Sequence, residues 1–344
     1  MKAAFYNGNG KMEVMEHPDP VAGRSDAVVK VKATGICGSD LLINNDKQAA
    51  DEVPAGHEVA GEIVEVGSDV DSGFIGRRVA IETIGHGRSC GTCWYCRFGQ
   101  YRQCMDLEDS NGGGFAQFIK RKVVGCYEIS EKNSWEEAAL VEPLAVSVHG
   151  MRRGGLLGGE TVVILGAGNI GLTSVAAARH LGAGKIIVTA RHSQQADMAL
   201  SLGADEAISP DSNDLEHLIL DSTGGKGSDL TIETVGGNRS DTLVQAVELT
   251  RMQGRVVILG GFRKPLEFDW LSPLLKEQSF LFSSCYGILE GKHDYEIAID
   301  ILNTKGNKLV NMVTHKFPLS EIQKGFETAY DKGSGSIKVQ ILQD

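Results

Sequence analysis

The first third of the chain consists of short apolar runs with a period of two, broken by Gly, Asp and Pro, at residues 27–33, 59–66, 78–82 and 115–124. That spacing predicts a small, mostly antiparallel β domain. From about Glu136 the period lengthens: a helical stretch runs to His149, a wholly apolar strand occupies 161–165, an Ala-rich helix follows at 170–181 and a second strand at 185–189. Strand, helix, strand at this length predicts a βαβ unit in a parallel sheet. Further strands at 230–233 and 255–259, separated by helix-like stretches, extend it to a doubly wound α/β domain of six strands. After about Tyr286 come two more helical stretches and a strand at 336–342. Pattern alone does not place this tail.

A chain of 344 residues exceeds one ordinary core, so two domains are expected. Lys and Arg number 34 against 45 Asp and Glu, a net charge of −11 that repels nucleic acid, and no basic patch offsets it. No run is apolar and long enough to span a bilayer, and without an apolar leader the chain reads as cytoplasmic. The expected partner is a small molecule.

Four cysteines, Cys90, Cys93, Cys96 and Cys104, fall within one short stretch as C-x-x-C-x-x-C-x7-C. Disulfides or stray buried thiols are the alternatives, but in a reducing compartment clustered thiols hold metal, and this spacing lets four thiolates close on one tetrahedral zinc ion. Directly after the 161–165 strand comes Gly166-Ala167-Gly168-Asn169-Ile170-Gly171, opening the Ala-rich helix. In that setting G-x-G-x-x-G is a dinucleotide fingerprint: Gly166 for the tight turn, Gly168 for close approach of the pyrophosphate, Gly171 for packing of helix on strand. An NAD-selective site places a carboxylate at the end of the second strand, where this chain reads Thr189-Ala190-Arg191-His192-Ser193. With Ala190 in that place, Arg191 able to pair with a 2′-phosphate and Ser193 offering a hydroxyl, the expectation is NADP(H) over NAD(H). A solvated Arg191 in an enzyme tolerant of either cofactor is the competing reading.

A second metal site is suggested by Cys37, by the His57-Glu58 pair and by Glu142. A thiolate, an imidazole and a carboxylate suit zinc and leave a fourth position open, yet spacing alone does not join them.

The motifs together resemble the zinc-containing alcohol dehydrogenases of the medium-chain dehydrogenase/reductase family. The resemblance rests on Gly56-His57-Glu58-x-x-Gly61-x5-Gly67-x-x-Val70, on the cysteine loop with Gly91 and Gly99, on Gly112-Gly113-Gly114-Phe115-Ala116, on the dinucleotide turn and on the segment from Phe317-Pro318-Leu319 to Lys338. It implies a GroES-like domain of residues 1–146 and 287–344 with two zinc sites, and a Rossmann domain of 147–286 across a cleft. It further implies Cys37 and His57 as zinc ligands, with Glu58 or Glu142 completing the site directly or through water, and Asp40 orienting His57. Ser39 would be the hydroxyl through which a substrate alcohol loses its proton, with Glu58 and Glu142 as the other catalytic groups and Lys338 a cofactor contact. Glu142, where simple alcohol dehydrogenases carry a third ligand cysteine, is similar to the polyol and sugar branch, closest to the sorbitol type. The implied reaction passes hydride between NADP(H) and a secondary alcohol or ketone of a polyol, sugar or cyclitol, with zinc as Lewis acid. A threonine-type amino-alcohol dehydrogenase, a simple alcohol or aldehyde reductase, and a non-catalytic NADPH-binding protein are the alternatives. Relatives form dimers or tetramers, so a homodimer or homotetramer is implied. Two departures stand out: Leu42 replaces the relay histidine, and Arg77 replaces an Asp. Glu82, His86, Arg88, Glu108, Asp109 and Asn111 are polar candidates for holding further substrate hydroxyls.

Overall fold

The computed structural model describes residues 1–41, 50, 52–110, 112–212 and 214–343, so Leu42 and Asn111 lie outside the described residues. The chain divides into two compact units, residues 1–142 with 286–344 and residues 143–285.

In the first unit, the strands Asp26–Gly35, Glu58–Val66 and Arg78–Glu82 pair antiparallel in sequence order. Their alternating apolar side chains, Val29, Val31, Val59, Ile63, Val79 and Ile81, meet Ile119 from the strand Phe118–Lys122 in one buried cluster. Each such buried Val or Ile contributes about 1.5–3 kcal/mol of transfer free energy, which explains why the period-two pattern settles these strands. The tail docks on this same sheet. Lys338–Leu342 pairs antiparallel with Asp26–Gly35, aligning Gln340 with Gly35, and carries the parallel strand Val313–Pro318 on its other side. The helix Ile322–Tyr330 then covers it, with Ile322 and Phe326 packed against Phe115, Val339 and Ile341. A hairpin of Lys2–Tyr6 and Met12–Glu16, turned by Gly8 and Gly10 at positive φ, is an element the sequence reading passed over.

The helical stretch expected from Glu136 to His149 is two helices, Trp135–Ala138 and Val141–Arg153. Pro143 explains the break. It lacks the N–H that a continuous helix would aim at the Ala139 carbonyl, but fits the first turn of a helix restarted at Val141. Ser134 and Glu137 close the first piece with a reciprocal capping box.

The second unit holds a six-stranded, wholly parallel sheet in the order Glu206–Ile208, Lys185–Thr189, Thr161–Leu165, Ser228–Glu233, Thr250–Ile258, Ser279–Phe282. Strand order reverses direction between Thr161–Leu165 and Ser228–Glu233. Ligands of such sheets bind at the carboxyl ends of the strands beside that reversal, where the glycine turn begins.

Candidate active site

The cysteine loop forms a closed site. Sulfur atoms stand 3.9 Å apart for Cys90 and Cys96, 3.5 Å for Cys93 and Cys96, and 4.0 Å for Cys93 and Cys104. A tetrahedral zinc with Zn–S bonds near 2.3 Å spaces its sulfurs roughly 3.8 Å apart, so the donor set fits that ion. The loop supports thiolates through backbone N–H groups: Cys93 N–H donates to Cys90 Sγ at 3.3 Å and Asp106 N–H to Cys104 Sγ at 3.4 Å. The Thr92 hydroxyl and amide, with the Cys93 amide, pull the Cys90 thiol down to about 6. Burial pushes Cys96 up to about 12, a proton that zinc would displace.

The second centre is assembled from distant segments. Cys37 follows the strand Asp26–Gly35, His57 and Glu58 open the next strand, and their ligand atoms lie within 4.8 Å of one another. Asp40 folds back in the turn after Cys37, accepting from the Cys37 N–H at 2.8 Å and placing its other oxygen 3.6 Å from His57 Nδ1. That leaves the opposite ring nitrogen of His57 for a metal. Gly35 is required for close approach: a Cβ there would stand 1.9 Å from Glu58 Oε2. Glu142, 5% exposed, belongs to the same electrostatic group. Burial pushes it up to about 7, with Glu58 adding to the shift and His57 and Lys338 opposing it. Burial also disfavours a charged His57, but Asp40, a bond to Cys37 and Glu142 outweigh it and hold its pKa well above the ordinary histidine value. Ser39 is exposed in the turn between Cys37 and Asp40.

Lys338 reaches Glu58 from the strand Lys338–Leu342. Expected at the cofactor, it is 1% exposed inside the first unit, and its ammonium meets Glu58 Oε1 at 2.7 Å, Glu58 Oε2 at 2.5 Å and the Ile36 carbonyl at 3.0 Å.

Among the described residues, the remaining polar candidates divide between buried and exposed positions. Glu82 is fully buried and accepts from the His86 N–H at 2.5 Å and the Tyr127 hydroxyl at 3.2 Å. His293 Nε2 faces Glu82 at 3.1 Å, off the hydrogen-bonding line. Glu82, His86 and His293 are close enough to invite a third metal, but His293 Nδ1 accepts the Tyr295 N–H at 3.1 Å. A neutral ring in that state carries its proton on Nε2 and has no lone pair there for an ion. Glu82 is a buried carboxylate that takes hydrogen bonds from the His86 amide and the Tyr127 hydroxyl. Arg88 bonds the Glu108 carbonyl, Glu108 pairs with Lys122 at 2.6 Å, and Asp109 is exposed.

In the second unit the glycine turn has the form a pyrophosphate needs. Gly166 sits at φ +94°, and a Cβ on Gly171 would fall 1.9 Å from the Gly166 carbonyl. The space beside Gly168 is open. Asn169 starts the helix Asn169–His180, which Ile170 continues, and its side-chain oxygen is buried without a partner in that turn. Free N–H groups of this helix start and the open approach fit a dinucleotide phosphate. Thr189 accepts from the Gly166 N–H at 2.8 Å, so the end of the second strand is tied to the turn itself. Ala190 is buried, Ser193 exposed at the start of the helix Ser193–Leu202, and Arg191 extends into solvent 3.7 Å from Asp211.

A family model described as alcohol dehydrogenase GroES-like domain matches residues 23–131, and one described as zinc-binding dehydrogenase matches residues 169–304. The chain is 32% identical to the sorbitol dehydrogenase of Bacillus subtilis, over 99% of this chain and 97% of that protein. It belongs to the zinc-type medium-chain alcohol dehydrogenases. Within them it stands on the polyol-dehydrogenase branch, as a zinc-dependent alcohol oxidoreductase using a nicotinamide cofactor. The L-idonate 5-dehydrogenase of Vitis vinifera is 31% identical over 98% of this chain and 94% of that one. A zinc-binding dehydrogenase structure from Sinorhizobium meliloti, bound to NADP, superposes with a TM-score of 0.85 at 29% identity, covering 99% of this chain and 98% of that one. Two supports of the dehydrogenase site were not read from sequence. Thr189 gave no signal apart from its place in the strand. Glu233, fully buried, accepts from the amides of Val235 and Gly236 at 2.9 Å and the Thr242 hydroxyl at 2.8 Å, shaping the loop after its strand.

Proposed function

We propose that this dehydrogenase interconverts a secondary alcohol and its ketone in a polyol, sugar or cyclitol, with NADP(H) preferred over NAD(H). The observation that carries the reading is the convergence of Cys37, His57 and Glu58 within 4.8 Å, with Asp40 behind His57 and Glu142 in the same electrostatic group. Cys37, His57 and Glu58 would hold zinc, with Glu142 reaching it directly or through water. When bound, zinc supplies Lewis acidity towards a substrate oxygen, and the nicotinamide supplies or accepts hydride. The protein supplies placement and proton handling. Asp40 fixes the His57 ring, and Gly35 leaves room for the Glu58 carboxylate. The exposed Ser39 hydroxyl takes the proton leaving the substrate hydroxyl. Glu142, at about 7, can either hold or release a proton near neutrality. A carboxylate at this position, in place of a ligand cysteine, supports the polyol branch over simple alcohols. For the cofactor, Ala190 removes the charge that would repel a 2′-phosphate, and Arg191 is exposed and only loosely engaged by Asp211.

The test is an initial-rate screen of polyols, sugars, cyclitols, threonine and simple alcohols with both cofactors, on protein whose zinc has been counted. Turnover should concentrate on secondary alcohols flanked by further hydroxyls. Activity confined to primary alcohols, or to threonine, would overturn the substrate class.

A further inference from the structure

Lys338 joins the two segments that carry the metal-ligating side chains. Its ammonium bonds the carbonyl of Ile36, the residue before Cys37, and both carboxylate oxygens of Glu58, the residue after His57. The strand that delivers it is fixed at the same place, since the Ile36 N–H donates to the Val339 carbonyl at 3.0 Å. Glu58 is 0% exposed and Lys338 1%, so neither charge is balanced by water. The nearby Asp40 and Glu142 are carboxyl groups and give Glu58 no compensation. A buried carboxylate without its cation is strongly unfavourable. The same fixed positive charge opposes an arriving divalent ion, because the ion and the ammonium must share one carboxylate.

We propose that Lys338 is a positioning residue and resident counter-cation of the metal centre: it holds the Glu58 carboxylate in place when the centre is empty, and it lowers the centre's affinity for a divalent cation. This rests on the reading of Cys37, His57 and Glu58 as metal ligands. The consequence is a centre that survives loss of its ion and exchanges it more readily than the four-cysteine loop does.

The experiment compares full-length wild type with Lys338→Gln, which keeps a hydrogen-bond donor but no charge, and Lys338→Met, which keeps neither. Zinc affinity at the centre is measured by chelator competition while the four-cysteine site stays loaded, and thermal unfolding is followed with and without zinc at the centre. Lys338→Gln should bind zinc at least about tenfold more tightly. Its form without zinc at the centre should melt roughly 5 °C lower, and Glu58→Gln added to it should recover that loss. If Lys338→Met does not fold without zinc, Lys338→Gln carries the affinity measurement. Unchanged or weaker zinc binding in Lys338→Gln overturns the proposal, whatever happens to stability, because a purely structural lysine would move the melting temperature alone. Wild type holding one zinc per chain would instead remove the ligand reading on which it rests. Two zincs in wild type with unaltered affinity in Lys338→Gln would sink this inference and leave that reading intact.

Discussion

The four-cysteine loop and the Cys37 centre belong to the same unit, yet they are built by opposite means. The first takes all four donors from residues 90–104 and shapes itself with local N–H to sulfur bonds. The second takes its donors from the end of one strand and the start of another, with Glu142 from a helix that begins much later in the chain, and depends on Gly35, Asp40 and Lys338 to bring them together. A donor set made only of thiolates leaves zinc no open position, whereas a mixed set with one exposed hydroxyl nearby leaves room for a substrate. Local construction suits a site that stabilises a loop. Long-range construction suits one whose neighbours must do chemistry.

The largest expected effect separates the two sites directly. Cys37→Ser should lower kcat by more than about 10³-fold while the protein keeps its fold, because the Lys338 pair still balances Glu58. Cys93→Ser should do the reverse, lowering thermal stability first and activity only as the loop loosens. Zinc content, melting temperature and kcat measured on both variants decide it. Equal loss of stability in the two would erase the distinction between a closed site and an open one.

A smaller effect probes what the open site does with its room. Ser39→Ala removes a hydroxyl that sits exposed in the turn between Cys37 and Asp40. If that hydroxyl carries the departing proton, kcat should fall on the order of 10²-fold, with little change in substrate affinity and zinc content unchanged. A parallel rise in KM with kcat preserved would make Ser39 a binding group instead.

The same contrast explains what was legible in the sequence. The cysteine loop and the glycine turn could be read from spacing because each encodes its geometry within a few residues. The strands at 78–82, 161–165 and 185–189 were legible because burial on a pleated surface leaves a strict apolar pattern. Cys37, His57 and Glu58 needed the family resemblance, since nothing local brings residue 37 to residue 57. The pairing of Lys338 with Glu58 was hidden for the same reason. A lysine near the end of a chain looks solvent-bound or phosphate-bound, and only the pairing of Gln340 with Gly35 reveals that it lies beside Glu58. Glu82 was offered as a holder of substrate hydroxyls because its partners, Tyr127 and His293, come from distant segments.

The cofactor site contains both kinds of information, and its prediction is the smallest in size. The turn at Gly166 is locally encoded and serves any dinucleotide, so it should bind NAD(H) and NADP(H) alike. Selection must come from the end of the second strand, which Thr189 ties to that turn at 2.8 Å. The Ala190 side chain offers no acceptor to ribose hydroxyls and no charge against a phosphate, while Arg191 is paired with an exposed Asp211 at 3.7 Å, a pair worth about 1 kcal/mol or less. Exchanging that partner for a 2′-phosphate should give NADP(H) a kcat/KM advantage of at least about tenfold, or roughly 1.4 kcal/mol. Arg191→Leu should weaken NADP(H) and spare NAD(H), and Ala190→Asp should reverse the preference. Initial rates at matched cofactor concentrations check this, and a wild type faster with NAD(H) would mean that Arg191 stays with Asp211 and the strand end selects by another group.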